Sequence, residues 1–367
     1  MSDVAERIGL EETRSLEERY LMRTYKRALV DFVKGEGPLL WDAEGKRYLD
    51  FLTGISVCSV GHCHPEVVKA VREQAERLMH VSNLFYTEPM AQLAERLSES
   101  SLGGRVFFSN SGTEAVECAI KVARKHAHGR GVSSPEIVSF EGDFHGRSYG
   151  ALAATPGLAK NEALQPMLPG FRSVPHNDAD ALREAVGENT AAVLIEPIQG
   201  EAGVFPASEE ALLAAREACD EVGALLILDE IQTGVGRTGS LWAYEQTPVC
   251  PDVLTTAKAL GGGMPIGACI TAPGCAEVLE LGAYLCEKLD GLDGVRETRG
   301  RGLMIGVGLE EGIDAAAIGA DLLGRGLVVN VPRPDTLRLL PPLVIDSDHV
   351  DLAVDLIAQS LLGFSSS

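Results

Sequence analysis

Four short strand signals, each stopping at polar residues, constrain this chain more than any other feature. They run from Arg105 to Phe108, Glu136 to Phe140, Ala191 to Ile195 and Ala224 to Leu228. The last two are apolar throughout, as a strand is when both of its faces are covered. The polar ends are Asn110-Ser111-Gly112-Thr113-Glu114, Glu141-Gly142-Asp143-Phe144-His145-Gly146-Arg147, Glu196-Pro197-Ile198-Gln199-Gly200-Glu201 and Asp229-Glu230-Ile231-Gln232-Thr233-Gly234. Helical patterns over Ala115 to His126 and Leu212 to Val222 stand between them. The alternation predicts an α/β fold around a mostly parallel sheet, with its site along the edge where the strands end.

A chain of 367 residues can build one large domain and a smaller one. Alternation from Tyr25 to Leu52, around Gly35, Gly37 and Asp42-Ala43-Glu44-Gly45, predicts hairpin strands. Helices are expected over Pro65 to His80 and Met90 to Leu97. From about Leu281 the pattern changes. Strand signals at Gly300 to Gly308, Leu327 to Val331 and Thr336 to Leu340, then a helical stretch from Asp348 to Leu362, predict a small α+β domain. The expected division is a large domain over 55–280, a small one over 281–367, and residues 1–54 belonging with the small domain.

Charge and cysteine usage exclude several classes. A net charge of −21 repels nucleic acid and anionic membrane surface, and any carboxylate substrate needs local arginines. No apolar stretch approaches the roughly 20 residues of a membrane span, and Met1 to Arg19 lacks a signal core, so a cytoplasmic protein is expected. The eight cysteines are scattered and read as reduced thiols. Cys58, His62, Cys63 and His64 cluster without a second ligand pair at finger spacing; the reading is a turn after a strand, with no metal.

Two stretches carry chemistry. Ser111, Gly112 and Thr113 join a strand to a helix, with Ser111 and Glu114 at capping-box spacing. Helix-start N–H groups beside a glycine and two hydroxyls suit a phosphate dianion. Lys258 follows a short strand signal and precedes Gly261-Gly262-Gly263. A lysine held in a partly apolar cleft loses its proton more readily and can form a Schiff base with a carbonyl. Such chemistry also needs an acidic partner for a pyridinium nitrogen, and Asp229 is the candidate.

These motifs, with Gly61-His62-Cys63-His64-Pro65, Ala257-Lys258-Ala259-Leu260 and Arg338-Leu339-Leu340-Pro341-Pro342-Leu343, resemble in order those of the class-III pyridoxal-phosphate-dependent aminotransferases, above all the acetylornithine branch. The resemblance spans nearly the whole chain from about Tyr20. It implies a fold type I large domain, pyridoxal 5'-phosphate as cofactor and a homodimer. Lys258 would hold the cofactor and act as the base, and Asp229 would pair with the ring nitrogen. Ser111, Gly112 and Thr113 would cradle the phosphate, Phe144 would stack on the ring, and Gln232 would lie near the ring oxygen. Arg147 would bind a substrate carboxylate. Glu201 and Arg338 would form a switchable ion pair that serves differently charged substrates. Ile55, where ornithine-specific relatives tend to carry Tyr, leaves room for an acylated amine. The implied reaction is N-acetylornithine plus 2-oxoglutarate giving N-acetylglutamate semialdehyde plus glutamate; related ω-amines of lysine and diaminopimelate synthesis are the alternative.

One departure is large. Members of the family carry Ser-Thr-Phe-Gly-Gly-Asn-Pro after the lysine and then a long helix. Here Cys275-Ala276-Glu277-Val278-Leu279-Glu280 runs directly into Leu281-Gly282-Ala283-Tyr284-Leu285. The absent Thr reaches the neighbouring subunit's cofactor phosphate, and one hydrogen bond to a charged group is worth about 1.5–3 kcal/mol. A catalytically impaired member, with Arg338 presented differently, is therefore a further alternative.

Overall fold

The computed structural model describes residues 8–273, 277–301, 304–339 and 347–364. The chain forms two compact units: residues up to Thr87 with Ala257–Pro265, and Glu88–Thr256 with the chain from Ile266 onward. The first holds the helices Leu10–Tyr20 and Pro65–Arg77 and an antiparallel sheet of β1 (Phe32–Glu36), β2 (Leu39–Asp42) and β3 (Arg47–Leu49). Asp42 makes the β2–β3 turn: its Oδ1 accepts from the N–H groups of Glu44 (3.1 Å) and Lys46 (2.9 Å), and its Oδ2 from the Tyr48 hydroxyl (2.8 Å). From residue 8 to Thr87, Asp42 is the one buried residue, so this stretch has no apolar core of its own.

The second unit is built on a seven-stranded sheet. Its strands are β4 (Val106–Ser109), β5 (Glu136–Phe140), β6 (Phe171–Val174) and β7 (Thr190–Ile195). After a short hairpin of β8 (Ile198–Gln199) and β9 (Phe205–Pro206) come β10 (Leu225–Asp229), β11 (Val253–Thr256) and β12 (Gly267–Thr271). The spatial order is β4-β12-β11-β10-β7-β5-β6. The pairs from β11 through β10, β7 and β5 to β6 are parallel, as the sequence predicts, while β12 runs antiparallel to both β11 and β4. Ten residues, 257–266, link β11 to β12, fewer than the dozen or so that a parallel crossover needs, so β12 must return in the opposite sense.

The unbroken apolar runs are explained by the two faces of this sheet. Val138, Phe140, Val193, Ile195, Leu226 and Leu228 point into one core, against the helices Ala179–Ala185 and Glu209–Val222. Their neighbours Ile137, Ala192, Leu194, Leu225 and Ile227 point into the other, against the helix Gly112–Gly129. That helix presents Ala115, Val116, Ala119, Ile120, Ala123 and Ala127 at helical spacing, and the four alanines let it lie close to the sheet.

The C-terminal part is a four-stranded antiparallel sheet of β13 (Val295–Arg301), β14 (Met304–Leu309), β15 (Asn330–Arg333) and β16 (Thr336–Leu339), in the order β13-β14-β16-β15. The helices Glu277–Asp290, Ala315–Gly324 and Ser347–Phe364 accompany it, and Leu285, Val307, Ile318, Leu337, Val350 and Ile357 share its core. The junction Glu280–Leu281 falls inside a continuous helix, while Cys275, Ala276 and residues 340–346 lie outside the described residues. Domain boundaries at 54 and 280 remain a proposal: the compact units part at Thr87, and the C-terminal sheet groups with the seven-stranded one. No helix among the described residues is long and apolar enough to cross a membrane.

Candidate active site

Three neighbouring parallel strands deliver a carboxylate to the same sheet edge. Asp229 is the last residue of β10, Glu196 follows β7 directly, and Asp143 lies three residues after β5. His145, fully buried, stands between two of them. Its Nδ1 is 2.8 Å from Asp229 Oδ2, and its Nε2 is 3.5 Å from Asp143 Oδ2. Burial alone would lower its pKa; the Asp143 and Asp229 carboxylates outweigh that and raise it to about 10. It is therefore an imidazolium at neutral pH.

Each carboxylate is also held from its other side. Asp229 Oδ1 accepts from the Ile231 N–H (3.1 Å) and the Thr255 hydroxyl (3.0 Å). Asp143 accepts from the Phe140 N–H (3.0 Å) and from Gln199 Nε2 (2.9 Å). Glu196 accepts the Phe144 N–H at 2.8 Å. Burial pushes Glu196 up to about 8, with His145 pulling it down and Asp229 and Asp143 adding to the rise.

The pH dependence of stability follows with a definite sign. Glu196 goes from an ordinary 4.5 to about 8, so its contribution is full below about 4.5 and is lost as pH rises through 8. His145 goes from 6.5 to about 10, so its contribution is full below 6.5 and is lost as pH rises through 10. Both slopes run the same way. Urea melts of the protein should show stability falling across the range between these values. Glu196→Gln, which keeps an acceptor for the Phe144 N–H, should flatten the fall below about pH 8 and leave the fall above it. An unchanged slope in that variant would remove Glu196 from the account.

Ser111, Gly112 and Thr113 stand where β4 passes into the helix Gly112–Gly129. Ser111 is the extended N-cap residue, and its hydroxyl donates to Glu114 Oε2 at 2.8 Å, while Glu114 also accepts the Asn110 N–H at 2.9 Å. The expected capping relation between Ser111 and Glu114 is present. A Cβ on Gly112 would lie 2.8 Å from Ile231 Cδ1, so the glycine lets the helix start pack closely on the Ile231 side chain after β10. The cup and Asp229 are thus tied together through Ile231.

The remaining candidates take varied positions. Phe144 is half-buried, with the Arg147 guanidinium carbon 5.6 Å from its ring centre. Gln232 is half-buried beside Gly200, where an added Cβ would fall 1.9 Å from Gln232 Oε1. Gly200→Ala is therefore expected to swing the Gln232 amide aside at little cost to stability, because a side-chain end moves and not backbone. A turnover loss matching that of Gln232→Ala, with an unchanged melt, would confirm it; a large drop in melting temperature would contradict it. Lys258 opens a short 3₁₀ turn, Lys258–Gly261, with φ of +43°, a left-handed backbone that costs a non-glycine residue roughly 1–2 kcal/mol. Strain of that kind concentrates at functional positions.

Glu201 is exposed, and no ion pair joins it to Arg338 among the described residues. Arg338, on β16, lines a cleft of about 740 Å³ with Arg296, Arg299, Arg333, His128 and Gly129. His128 and Gly129 end the helix whose first turn is the cup. An 18-residue helix is about 27 Å long, so the structure brings Arg338 to its far end. The Cys58–His64 stretch contains a His62 Nε2 contact of 2.6 Å to Asp50 Oδ2, and no group of three or more His, Cys, Asp or Glu among the described residues could hold a metal ion. Sequence reasoning left His145, Asp143, Glu196 and Thr255 out of the site. The available signal was an acid shortly after each of three buried strands.

The donor set fits pyridoxal phosphate. A carboxylate has about four acceptor sites, and among the described residues the partner of Asp229 Oδ2 is His145, which leaves acceptor capacity for a ring N–H. At the cup, first-turn N–H groups have no intrahelical partner and suit a phosphate.

A mostly parallel sheet with a helix-start cup and a buried, histidine-backed carboxylate at its edge defines a pyridoxal-phosphate-dependent transferase of fold type I. The profile of the class-III aminotransferases matches residues 20–282 and 273–361. An acetylornithine aminotransferase of Caldanaerobacter subterraneus subsp. tengcongensis is 43% identical over 387 positions, covering 94% of this chain and 98% of that protein. The solved ornithine aminotransferase of Toxoplasma gondii ME49 matches with a TM-score of 0.69 at 30% identity, over 98% of this chain and 97% of that one. The N-acetylornithine aminotransferase of Stenotrophomonas maltophilia K279a gives 0.60 at 36% identity, over 96% and 99%. The chain belongs to the class-III aminotransferases, and its cofactor is pyridoxal 5'-phosphate. The two profile matches meet at 273–282, the place where the family segment is absent. An alignment of 387 positions that covers 94% of 367 residues leaves about 40 positions where the relative faces no residue here.

Proposed function

We propose that this chain moves the terminal amino group of N-acetylornithine to 2-oxoglutarate, giving N-acetylglutamate semialdehyde and glutamate, as a cytoplasmic enzyme of arginine biosynthesis. The observation that carries the reading is the match, along nearly its whole length, to a relative named for acetylornithine.

When bound, pyridoxal phosphate supplies a carbonyl that takes up amines and a pyridinium ring that withdraws electrons from the carbon losing its proton. Asp229 would hold the proton on the ring nitrogen, and His145 behind it, 2.8 Å from Asp229 Oδ2, fixes the orientation of that carboxylate. Ser111, Gly112 and Thr113 bind the phosphate, Phe144 packs on the ring and Gln232 donates to the ring oxygen. Lys258 holds the cofactor and carries the transferred proton at Nζ. Arg147 binds a substrate carboxylate, with Glu201 and Arg338 serving the exchange between amine donor and dicarboxylate. Ile55 leaves space for the acyl group.

The enzyme acts as a homodimer. Support comes from apolar side chains left in solvent: Phe51 is 91% exposed, Met22 and Met79 are 86% exposed and Leu84 is 83% exposed. A stretch that buries no apolar side chain of its own is suited to being covered by a second copy.

The testing experiment is a steady-state assay of the purified protein with pyridoxal phosphate, N-acetylornithine and 2-oxoglutarate, with ornithine and an N-succinylated diamine as competitors. Preference for the acetylated diamine supports the proposal, and a preference for free ornithine rejects it. The position of Arg338 at the far end of the helix favours a second reading, in which cofactor binding survives and dicarboxylate recognition is lost. That version predicts cofactor uptake without saturable dependence on 2-oxoglutarate.

A further inference from the structure

Ser148 starts the helix Tyr149–Ala153, yet its hydroxyl does not cap that helix. Serine at this position ordinarily uses its oxygen on its own first turn. Here the work is done from outside: Glu117 Oε1, on the helix Gly112–Gly129, accepts the N–H groups of Gly150 (2.8 Å) and Ala151 (3.1 Å). The Ser148 hydroxyl is turned instead to Thr113, with the two oxygens 2.6 Å apart. The Ser148 N–H also donates to Thr113 Oγ1, at 3.2 Å. The turn between them is closely fitted. A Cβ on Gly146, whose φ is +136°, would fall 2.4 Å from Thr113 Oγ1.

A threonine hydroxyl has one proton to give and two lone pairs to fill. The Ser148 N–H occupies one lone pair. When the Ser148 hydroxyl donates to the other, both are filled from a single residue, and the Thr113 proton is left to an outside acceptor. We propose that Ser148 is a positioning residue for a phosphate monoester at the cup: by donating to Thr113 Oγ1 it commits the Thr113 hydroxyl to the phosphate. Ser148 directly follows Arg147, so filling the cup also steadies the turn that carries Phe144 and Arg147. The inference rests on the reading of Ser111, Gly112 and Thr113 as a phosphate cup.

The test compares pyridoxal 5'-phosphate with pyridoxal, which has the same ring and carbonyl and lacks the phosphate. Affinities are measured by equilibrium titration of visible absorbance for the full chain, Ser148→Ala, Ser148→Thr, Thr113→Val and the double variant. Ser148→Ala is expected to weaken pyridoxal phosphate about tenfold and leave pyridoxal unchanged. Ser148→Thr restores the affinity, and Ser148→Ala adds nothing in the Thr113→Val background. Equal losses for both ligands, no loss, or a full loss on top of Thr113→Val would each overturn the proposal. The unaltered chain tests the cup separately: without a preference for the phosphorylated ligand the cup reading itself falls, and the role of Ser148 with it.

Discussion

Replacing Lys258 by alanine is expected to lower turnover about ten-thousandfold, the largest effect of any single change in this protein. The estimate combines loss of a positioned proton carrier, worth about 10²–10⁴, with loss of covalent attachment to the cofactor. Cofactor affinity should fall far less, because Ser111–Thr113 and Asp229 remain. The left-handed backbone at Lys258 relaxes no more easily for alanine, so the melt should stay close to that of the unaltered chain. Glutamate-dependent turnover and an absorbance titration measure the two quantities. Partial recovery on adding a small primary amine would mark the missing group as a base. A variant within tenfold of normal turnover would exclude Lys258 as the proton carrier.

The second large effect is expected from Asp229→Asn. The neutral amide cannot hold a positive ring nitrogen, and removal of one preorganised charged contact commonly costs 10²–10³ in rate. The same change leaves the buried His145 imidazolium with Asp143 alone, at 3.5 Å. Breaking a buried ion pair costs about 3–5 kcal/mol, and the surviving carboxylate keeps the expected loss near the lower end. Asp143→Asn separates the two consequences. It should show a comparable loss in a urea melt with a much smaller loss in turnover. Equal rate losses in both variants would reduce Asp229 to a structural partner of the histidine.

Much of this was legible in the residues. Burial on both faces of β7 and β10 makes their runs apolar throughout, and that pattern reads directly as a covered parallel sheet. The Ser111–Glu114 cap is a local relation, and it appears where the spacing puts it. What could not be read depends on neighbours distant in sequence. His145 looks like any polar residue in a loop until Asp229, 84 positions later, closes on its Nδ1. The direction of β12 follows from the length of the link before it, and Gly267–Thr271, five residues opening on glycine, carries no clear strand signal of its own. The place of Arg338 depends on how the chain passes the junction near Glu280, which no local pattern encodes.

The reversed strand has a bearing on motion. β4, which leads into Ser111–Thr113, is an edge strand whose one strand partner among the described residues is β12, and β12 pairs on its other side with β11. Opening β12 would free β4 and the outer side of β11 in one event. The amides of Phe107 and Cys269 should therefore exchange with solvent at a common rate that slows when the cofactor is bound.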